Sequence, residues 1–123
     1  MSSKYCLIVD DSRVVRSVAR EIFTDLGFAT QEAADGDEAL EACLKDMPDV
    51  ILLDWTMPRM SGMEFLRALR AHLGDVEAKV IFCTARNELD DIMAAMEEGA
   101  SEYIMKPFDR DIVEDKLAQV GLL

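Results

Sequence analysis

Five short apolar runs recur along the chain, and each is followed by a longer segment of different periodicity. Every run has four to six residues, which is the length of a strand rather than a helix. The second run is the most polar, as is typical of a strand at the edge of a sheet. The runs are Tyr5–Val9, Phe28–Ala33, Val50–Leu53, Lys79–Cys83 and Glu102–Met105.

Apolar residues in the intervening segments recur at steps of three and four, which predicts helices. In the first segment these residues precede a glycine, a common stop signal: Val14, Val15, Val18, Ile22, Leu26, then Gly27. The other segments are 39–44, 65–73, 89–96 and 112–120. A strand followed by a helix, five times over, predicts a parallel sheet with right-handed crossovers and helices on both faces.

The composition of the chain excludes several classes of function. A chain of 123 residues, half of them hydrophobic, is the size of one domain with a sizeable core. Its net charge of −12 disfavours binding to nucleic acid or to anionic membrane surfaces. No apolar run approaches the roughly 20 residues of a membrane-spanning helix, and the N-terminus lacks a signal peptide. Three cysteines without metal or disulfide spacing indicate buried, reduced thiols. We therefore expect a cytoplasmic protein.

Reactive side chains follow four of the five predicted strands. Asp10 and Asp11 come after the first strand, Asp54 after the third, Thr84 after the fourth and Lys106 after the fifth. The carboxyl ends of parallel strands share one edge of a sheet, where ligands of such folds bind. The sequence thus predicts three carboxylates, a hydroxyl and an ammonium at one edge.

Crowded carboxylates repel one another and raise some of their pKa values, which a hard divalent cation relieves. Mg²⁺ suits carboxylate oxygens and few protein ligands, whereas no loop has the spacing of an EF-hand for Ca²⁺. A metal beside an ammonium and a hydroxyl is also suited to phosphoryl transfer. Any of the three carboxylates could be the nucleophile. Asp54 is favoured because it stands alone, which leaves Asp10 and Asp11 for the metal.

The sequence resembles, over its whole length, a receiver domain of the two-component response-regulator family, of the CheY type. The ordered motifs that carry the resemblance are Val9-Asp10-Asp11-Ser12, Ala34-Asp35-Gly36-Asp37-Glu38-Ala39-Leu40, Asp54-Trp55-Thr56-Met57-Pro58-Arg59-Met60-Ser61-Gly62, Thr84-Ala85 and Lys106-Pro107-Phe108. The resemblance implies one receiver domain over residues 1–123. It also implies a flavodoxin-like (βα)5 fold, a doubly wound parallel sheet of order 2-1-3-4-5 with helices on both faces.

The resemblance implies a role for each metal-site residue. Asp54 matches the family's phosphoacceptor and a metal ligand. Asp11 matches a direct Mg²⁺ ligand, and Asp10 a carboxylate that acts largely through metal-bound water. Thr56 supplies its backbone carbonyl to the metal. Thr56 and Arg86 also occupy positions that vary in the family and tune the lifetime of the phosphate.

The remaining roles concern the phosphoryl group and the switch. Lys106 matches the lysine that contacts the phosphoryl group, and its bond to Pro107 is expected to be cis. Thr84 matches the hydroxyl that bonds a phosphoryl oxygen. Tyr103 matches the aromatic that turns inward when that hydroxyl moves.

The implied function is a single-domain, monomeric response regulator without a DNA-binding module. A histidine kinase or histidine phosphotransfer protein phosphorylates Asp54 with Mg²⁺. The face built from the fourth helix, fifth strand and fifth helix then controls a protein partner, either by target binding as in chemotaxis or as a relay intermediate. Such a protein is not an enzyme beyond self-phosphorylation from small donors and autodephosphorylation.

Two other functions fit parts of the pattern. A Mg²⁺-dependent phosphatase of the haloacid-dehalogenase type also forms an aspartyl phosphate, but it requires a D-x-D motif after the first strand and a cap domain. Arg13, not an acid, lies two residues past Asp11. A flavin-binding protein of the same fold would need a Ser/Thr/Gly-rich phosphate loop, and Asp10-Asp11-Ser12-Arg13 has the wrong charge for one.

Overall fold

The computed structural model describes residues 4–74, 78–85 and 89–123, in which strands and helices alternate. The strands are β1 (Tyr5–Val9), β2 (Ala29–Ala33), β3 (Val50–Asp54), β4 (Lys79–Thr84) and β5 (Glu102–Met105). The helices are α1 (Arg13–Asp25), α2 (Gly36–Lys45), α3 (Gly62–Leu73), α4 (Leu89–Glu97) and α5 (Arg110–Gln119). The predicted strands are confirmed, with two of them extended by one residue into Asp54 and Thr84 and the second beginning one residue later.

All five strands are parallel and lie in the order β2-β1-β3-β4-β5. The expected flavodoxin-like topology is therefore confirmed. β3 is buried at every residue, whereas β2 alternates between exposed and half-buried residues up to the buried Ala33, as an edge strand does. In register, Val9 of β1 pairs with Ala33 on one side and Leu53 on the other. The strand ends consequently meet at one edge.

Side chains of the central strands alternate between two hydrophobic cores. Leu7 and Val9 belong to the core on the side of α2, α3 and α4, whereas Cys6 and Ile8 belong to the core beneath α1 and α5. This alternation follows from the two-residue period of a strand. Because both faces are covered by helices, the apolar runs are continuous rather than alternating.

The buried face of α1 differs from the apolar face that the sequence predicted. Ala19 and Phe23 are its fully buried residues, whereas Val14 is 73% exposed and Val18 is 43% exposed. The buried side of α1 packs on β1 and β2. Val14 and Val18 instead line an apolar groove of about 280 Å³ beside Phe108. The periodicity identified the helix correctly, but part of its apolar face borders this open groove beside the segment after β5 instead of being buried.

Capping residues determine where the helices begin. The Ser12 hydroxyl accepts from the backbone N–H of Val15, so α1 starts directly after the Asp10-Asp11 pair. Ser61 and Glu64 form a capping box at α3. At the other end of α1, Gly27 has a φ of 93°, the left-handed conformation that glycine adopts without strain. Within the described residues, no helix has the length and hydropathy to cross a bilayer.

Candidate functional site

Three carboxylates meet at the carboxyl edge of the sheet. Asp10 and Asp11 follow β1, and Asp54 is the last residue of the neighbouring β3. Each offers an oxygen within 4.8 Å of the others. Asp10 is 2% exposed and Asp54 is 6% exposed, whereas Asp11 is exposed. The cluster is thus a buried pair of carboxylates with a third that opens it to solvent.

Lys106 brings a positive charge into this cluster. Its Nζ donates to Oδ2 of Asp10 at 2.8 Å and to Oδ1 of Asp54 at 3.1 Å. Its backbone N–H donates to the carbonyl of Thr84 at 2.9 Å, which fixes the loop after β5 against the end of β4. The bond between Lys106 and Pro107 is cis, as the resemblance implied.

The pKa values of Asp54 and Lys106 are both raised, but the causes differ. Burial raises the pKa of Asp54 to about 6, and the negative charge of Asp10 adds to this, while the hydrogen bond from Lys106 opposes it. For Lys106, burial lowers the pKa, but the hydrogen bonds to Asp10 and Asp54 outweigh burial and leave the pKa raised. Lys106 therefore stays protonated at neutral pH, whereas burial disfavours the charged form of Asp54.

The donor set fits a magnesium ion. Its members are carboxylate oxygens, the hard donors that Mg²⁺ prefers. Three carboxylates and the one ammonium of Lys106 leave two negative charges, which a divalent cation would neutralise. The exposed Asp11 leaves room on the solvent side for the waters or phosphate oxygens that complete an octahedral shell.

Two threonines predicted for the site lie at the same edge. Thr84 ends β4, is 5% exposed, and pairs in register with Met105 of β5. Thr56 lies two residues after Asp54, in the loop before α3, with an exposed side chain. Arg86, the other position expected to tune the phosphate lifetime, lies outside the described residues.

Tyr103 lies in β5, beside Phe82 of β4, and its half-buried ring packs on the core that faces α2, α3 and α4. The ammonium of Lys116 on α5 lies 5.1 Å from the centre of this ring and 3.3 Å from the carboxylate of Glu102. A cation over an aromatic face is a favourable contact. Tyr103 therefore connects the edge strand to α5, on the side of the sheet where the output face was expected.

Exposed apolar side chains occur on both helices that flank β5. Met93 and Met96 of α4 are 52% and 43% exposed, and Ile112 of α5 is 40% exposed. Large apolar residues at the surface of a chain with net charge −12 are candidates for contact with another protein.

The segment from Asp54 to the first residue of α3 contains two features that sequence reasoning missed. A Cβ atom on Gly62 would lie 2.3 Å from the carbonyl oxygen of Asp54, so α3 can approach the site only with glycine there. Arg59 has a φ of 68° and forms an ion pair with Asp35, the N-cap of α2. In the sequence, the glycine directly after the Ser61 cap was a signal for this close approach of α3 to Asp54. No local pattern signals the pairing of Arg59 with Asp35, because their loops meet only in the fold.

The chain matches the family model described as response regulator receiver domain over residues 6–118. It is 39% identical to sporulation initiation phosphotransferase F of Bacillus subtilis over 115 residues, covering 94% of this chain and 91% of that protein. It is 36% identical to chemotaxis protein CheY of Pseudomonas aeruginosa, covering 93% of each chain. Neither the family model nor these relatives support the haloacid-dehalogenase alternative.

Solved structures show the same relationship. Vibrio cholerae chemotaxis protein CheY4 superposes with a TM-score of 0.90 at 30% identity, covering 97% of this chain and 99% of that one. The CheY of Borrelia burgdorferi, solved with CheX, BeF3 and Mg²⁺, gives a TM-score of 0.88 at 32% identity, covering 95% and 88% of the two chains. The chain belongs to the response regulator receiver domain family.

Proposed function

We propose that this chain is a phosphorylation-controlled switch in two-component signalling, with Asp54 as the phosphoacceptor. The observation that carries the proposal is the placement of Asp54. It is buried, it lies 3.1 Å from the ammonium of Lys106, and it shares a metal-sized cluster with Asp10 and Asp11. The phosphodonor is a histidine kinase or a histidine phosphotransfer protein.

In this proposal Asp11 and Asp54 hold Mg²⁺ directly, Asp10 acts largely through metal-bound water, and Thr56 contributes its backbone carbonyl. When bound, Mg²⁺ supplies charge neutralisation for the phosphoryl oxygens. The Borrelia burgdorferi relative solved with BeF3 and Mg²⁺ is consistent with this assignment.

The covalent step takes place on Asp54. One carboxylate oxygen forms a bond to phosphorus as the P–N bond of the donor's phosphohistidine breaks, and the donor's imidazole leaves. Lys106 binds the incoming phosphoryl oxygens, and its existing contact with Asp54 already places the ammonium beside the reacting atom. Water later hydrolyses the acyl phosphate, which returns inorganic phosphate and the free carboxylate. Apart from this hydrolysis and self-phosphorylation from small donors, the chain is not an enzyme.

The signal leaves through the face of α4, β5 and α5. The new phosphoryl oxygens draw the hydroxyl of Thr84 toward Asp54, and Tyr103 moves into the space that Thr84 vacates. Phosphorylation thereby shifts the balance between two states that exist beforehand. The exposed Met93, Met96 and Ile112 lie on the helices of this face and offer an apolar surface to a protein target.

The proposal also covers the setting of the protein. The receiver domain comprises residues 1–123, five more at each end than the residues that the family model matches. The chain works as a monomer in the cytoplasm, where reducing conditions keep its three buried cysteines free. Its net charge of −12 favours protein partners over nucleic acid or membrane.

Mass spectrometry of the intact protein tests the phosphoacceptor. The protein is incubated with Mg²⁺ and acetyl phosphate and quenched in acid, beside an Asp54→Asn control. We expect the gain of one phosphoryl group in the wild type and none in the control. A gain that persists in Asp54→Asn would show that another residue is the nucleophile. If no gain occurs in folded, Mg²⁺-bound protein, a histidine kinase replaces acetyl phosphate as donor, and failure there overturns the proposal.

A second measurement tests the switch. Backbone NMR spectra are recorded with Mg²⁺ before and after addition of beryllofluoride, a phosphoryl mimic. We expect the largest shifts along α4, β5 and α5 in the wild type, and much smaller shifts there in Thr84→Ala. Equal shifts in Thr84→Ala would remove Thr84 from the mechanism, even where Asp54 remains the acceptor.

A further inference from the structure

Arg16 of α1 touches the candidate site from behind. Its Nη1 donates to the backbone carbonyl of Asp10 at 2.7 Å, and its Nε donates to Oε1 of Glu32 in β2 at 3.1 Å. The Arg16 side chain is only 16% exposed. It lies in the second turn of α1, from which a side chain reaches back toward the start of the helix.

Arg16 completes a set of bonds that surrounds Asp10. The backbone N–H of Asp10 donates to the carbonyl of Ala33 at 3.1 Å. Its Oδ1 accepts from the N–H of Ser12 at 2.9 Å, and its Oδ2 accepts from Lys106 at 2.8 Å. The carbonyl is the fourth polar group, and Arg16 donates to it. Because Asp10 is 2% exposed, its carbonyl has little access to water as a substitute partner.

Glu32 anchors Arg16 in this position. Its two carboxylate oxygens accept from Arg16 at 3.1 Å and from Arg20 at 3.4 Å. Glu32 itself is fixed by the register of the sheet, since it pairs with Ile8 of β1, two residues before Asp10. The guanidinium of Arg16 therefore spans from β2 to the turn that carries Asp10 and Asp11.

We propose that Arg16 is a positioning residue for the metal site: it holds the Asp10 carbonyl, and thereby the directions in which the carboxylates of Asp10 and Asp11 point. This inference rests on the magnesium site of the proposed function. Residues behind metal ligands that orient them typically change metal affinity 10- to 100-fold when they are removed. The Asp10 carbonyl belongs to the peptide that joins Asp10 to Asp11, so fixing it can orient both carboxylates and thereby change metal affinity.

Charge and positioning predict opposite results for Arg16→Gln. The substitution removes a positive charge beside an acidic cluster, so charge alone would tighten Mg²⁺ binding. Loss of positioning would weaken Mg²⁺ binding. Arg16→Lys keeps the charge but cannot donate to the Asp10 carbonyl and Glu32 in the fork geometry of a guanidinium. Weaker binding in both variants therefore identifies geometry as the cause.

Arg20 supplies the matched control. It lies one turn further along α1 and shares Glu32, but its side chain is 63% exposed and its bond is to Glu32 alone among the contacts described. Arg20→Gln likewise removes one positive charge and one ion pair to Glu32, but it leaves the contact with Asp10 in place.

The test is calorimetric titration with MgCl2 alone, at a temperature where urea denaturation shows every variant to be folded. We expect Arg16→Gln to bind Mg²⁺ about 10-fold or more weakly, Arg16→Lys to lie between it and the wild type, and Arg20→Gln to match the wild type. Unchanged or tighter binding in Arg16→Gln overturns the inference, as does an equal loss in Arg20→Gln.

Two further results keep the test decisive. If Arg16→Gln does not fold, Arg16→Lys and Glu32→Gln replace it, since Glu32→Gln keeps an acceptor oxygen while weakening the grip on Arg16. Wild-type affinity in both of these variants would overturn the inference. Failure of the wild type itself to bind Mg²⁺ would instead overturn the magnesium site of the proposed function.

Discussion

The ammonium of Lys106 lies 3.1 Å from Oδ1 of Asp54, although the two residues are 52 positions apart in the chain. Their strands are not neighbours, because β4 lies between β3 and β5. Lys106 thus reaches across the end of β4 to compensate two buried carboxylates, Asp54 and Asp10. The contact joins the candidate phosphoacceptor to the strand at the edge of the expected output face.

Removal of the Lys106 charge should destabilise the metal-free protein. In Lys106→Met, the buried carboxylates of Asp10 and Asp54 lose their shared hydrogen-bond donor, which costs about 1–3 kcal/mol for a buried polar group left without its partner. Urea denaturation at pH 7 measures the loss. Saturating Mg²⁺ should recover much of it, because the cation restores positive charge at the same carboxylates and binds only the folded state.

Lys116→Met is the control for this prediction. The side chains of Lys116 and Lys106 are equally exposed, at 23%, and Lys116 also pairs with a carboxylate, that of Glu102. Because this pair is remote from the metal cluster, Mg²⁺ should stabilise Lys116→Met no more than the wild type. Equal recovery in both variants would contradict the assignment of Lys106 to the metal site.

Metal binding should weaken as the pH falls through about 6. Burial and the charge of Asp10 raise the pKa of Asp54 to about 6, and a protonated Asp54 no longer offers a carboxylate to Mg²⁺. Titration calorimetry between about pH 5 and pH 8 measures the effect. Affinity in Asp54→Asn should depend less on pH over this range. A wild-type affinity that is constant from pH 8 down to pH 5 would show that Asp54 is not a ligand.

The same shift has the opposite sign for the stability of the metal-free protein. An unfolded Asp loses its proton near pH 3.9, whereas folded Asp54 keeps it to about pH 6. Between these values the folded state binds more protons, so the contribution of Asp54 to the free energy of unfolding falls as the pH rises. Urea denaturation of the wild type and Asp54→Asn isolates this contribution: their difference should change from about pH 4 to pH 6 and then level off.

Gly62→Ala should damage the site, whereas Gly36→Ala should be much milder. Both glycines are the first residue of a helix, α3 and α2 respectively. A Cβ on Gly62 would meet the backbone oxygen of Asp54 at 2.3 Å, but a Cβ on Gly36 would meet the flexible side chain of Met60, whose Sδ would lie at 2.5 Å. Overpacking against backbone typically costs about 1–3 kcal/mol.

Thermal denaturation and Mg²⁺ titration of the two variants test this comparison. Gly62→Ala should lose both stability and metal affinity, because Asp54 must move. Gly36→Ala should keep its affinity for Mg²⁺. The reverse order of the two variants would show that the approach of α3 does not position Asp54.

The three cysteines should resist thiol reagents in the folded protein. Cys6, Cys43 and Cys83 are 0%, 3% and 1% exposed. Burial raises the pKa of the Cys43 thiol to about 11 and that of Cys83 to about 12, so the reactive thiolate is scarce at pH 8. Labelling with Ellman's reagent should be slow in buffer and complete for all three in guanidinium chloride. Rapid labelling of one cysteine in the native protein would contradict this burial.

The elements of the fold were predictable because their causes are local. Strand-length apolar runs, helical periodicity and stop signals such as Gly27 lie within short stretches of chain, and the elements confirm them. The position of Asp54, Thr84 and Lys106 at strand ends was equally local. Since parallel strands end at one edge, their gathering there followed from the alternation of elements alone.

Other features depend on which strands are neighbours. The five apolar runs resemble one another and do not indicate in which order the strands lie in the sheet. The order 2-1-3-4-5 was expected from the resemblance rather than from periodicity. The exposure of Val14 depends on how the segment after β5 lies beside α1, since the two border one open groove. The pairing of Arg59 with Asp35 depends on two loops that meet only in the fold.

The sequence by itself determined which chemistry this protein presents: three carboxylates, a hydroxyl and an ammonium, placed at the ends of four strands. The tertiary structure decided how these groups are held. The bond from Arg16 to the Asp10 carbonyl, the reach of Lys106 to Asp54 and the approach of Gly62 to the Asp54 backbone all join residues of different elements. Such contacts depend on register and packing distance, which no periodicity in the sequence encodes.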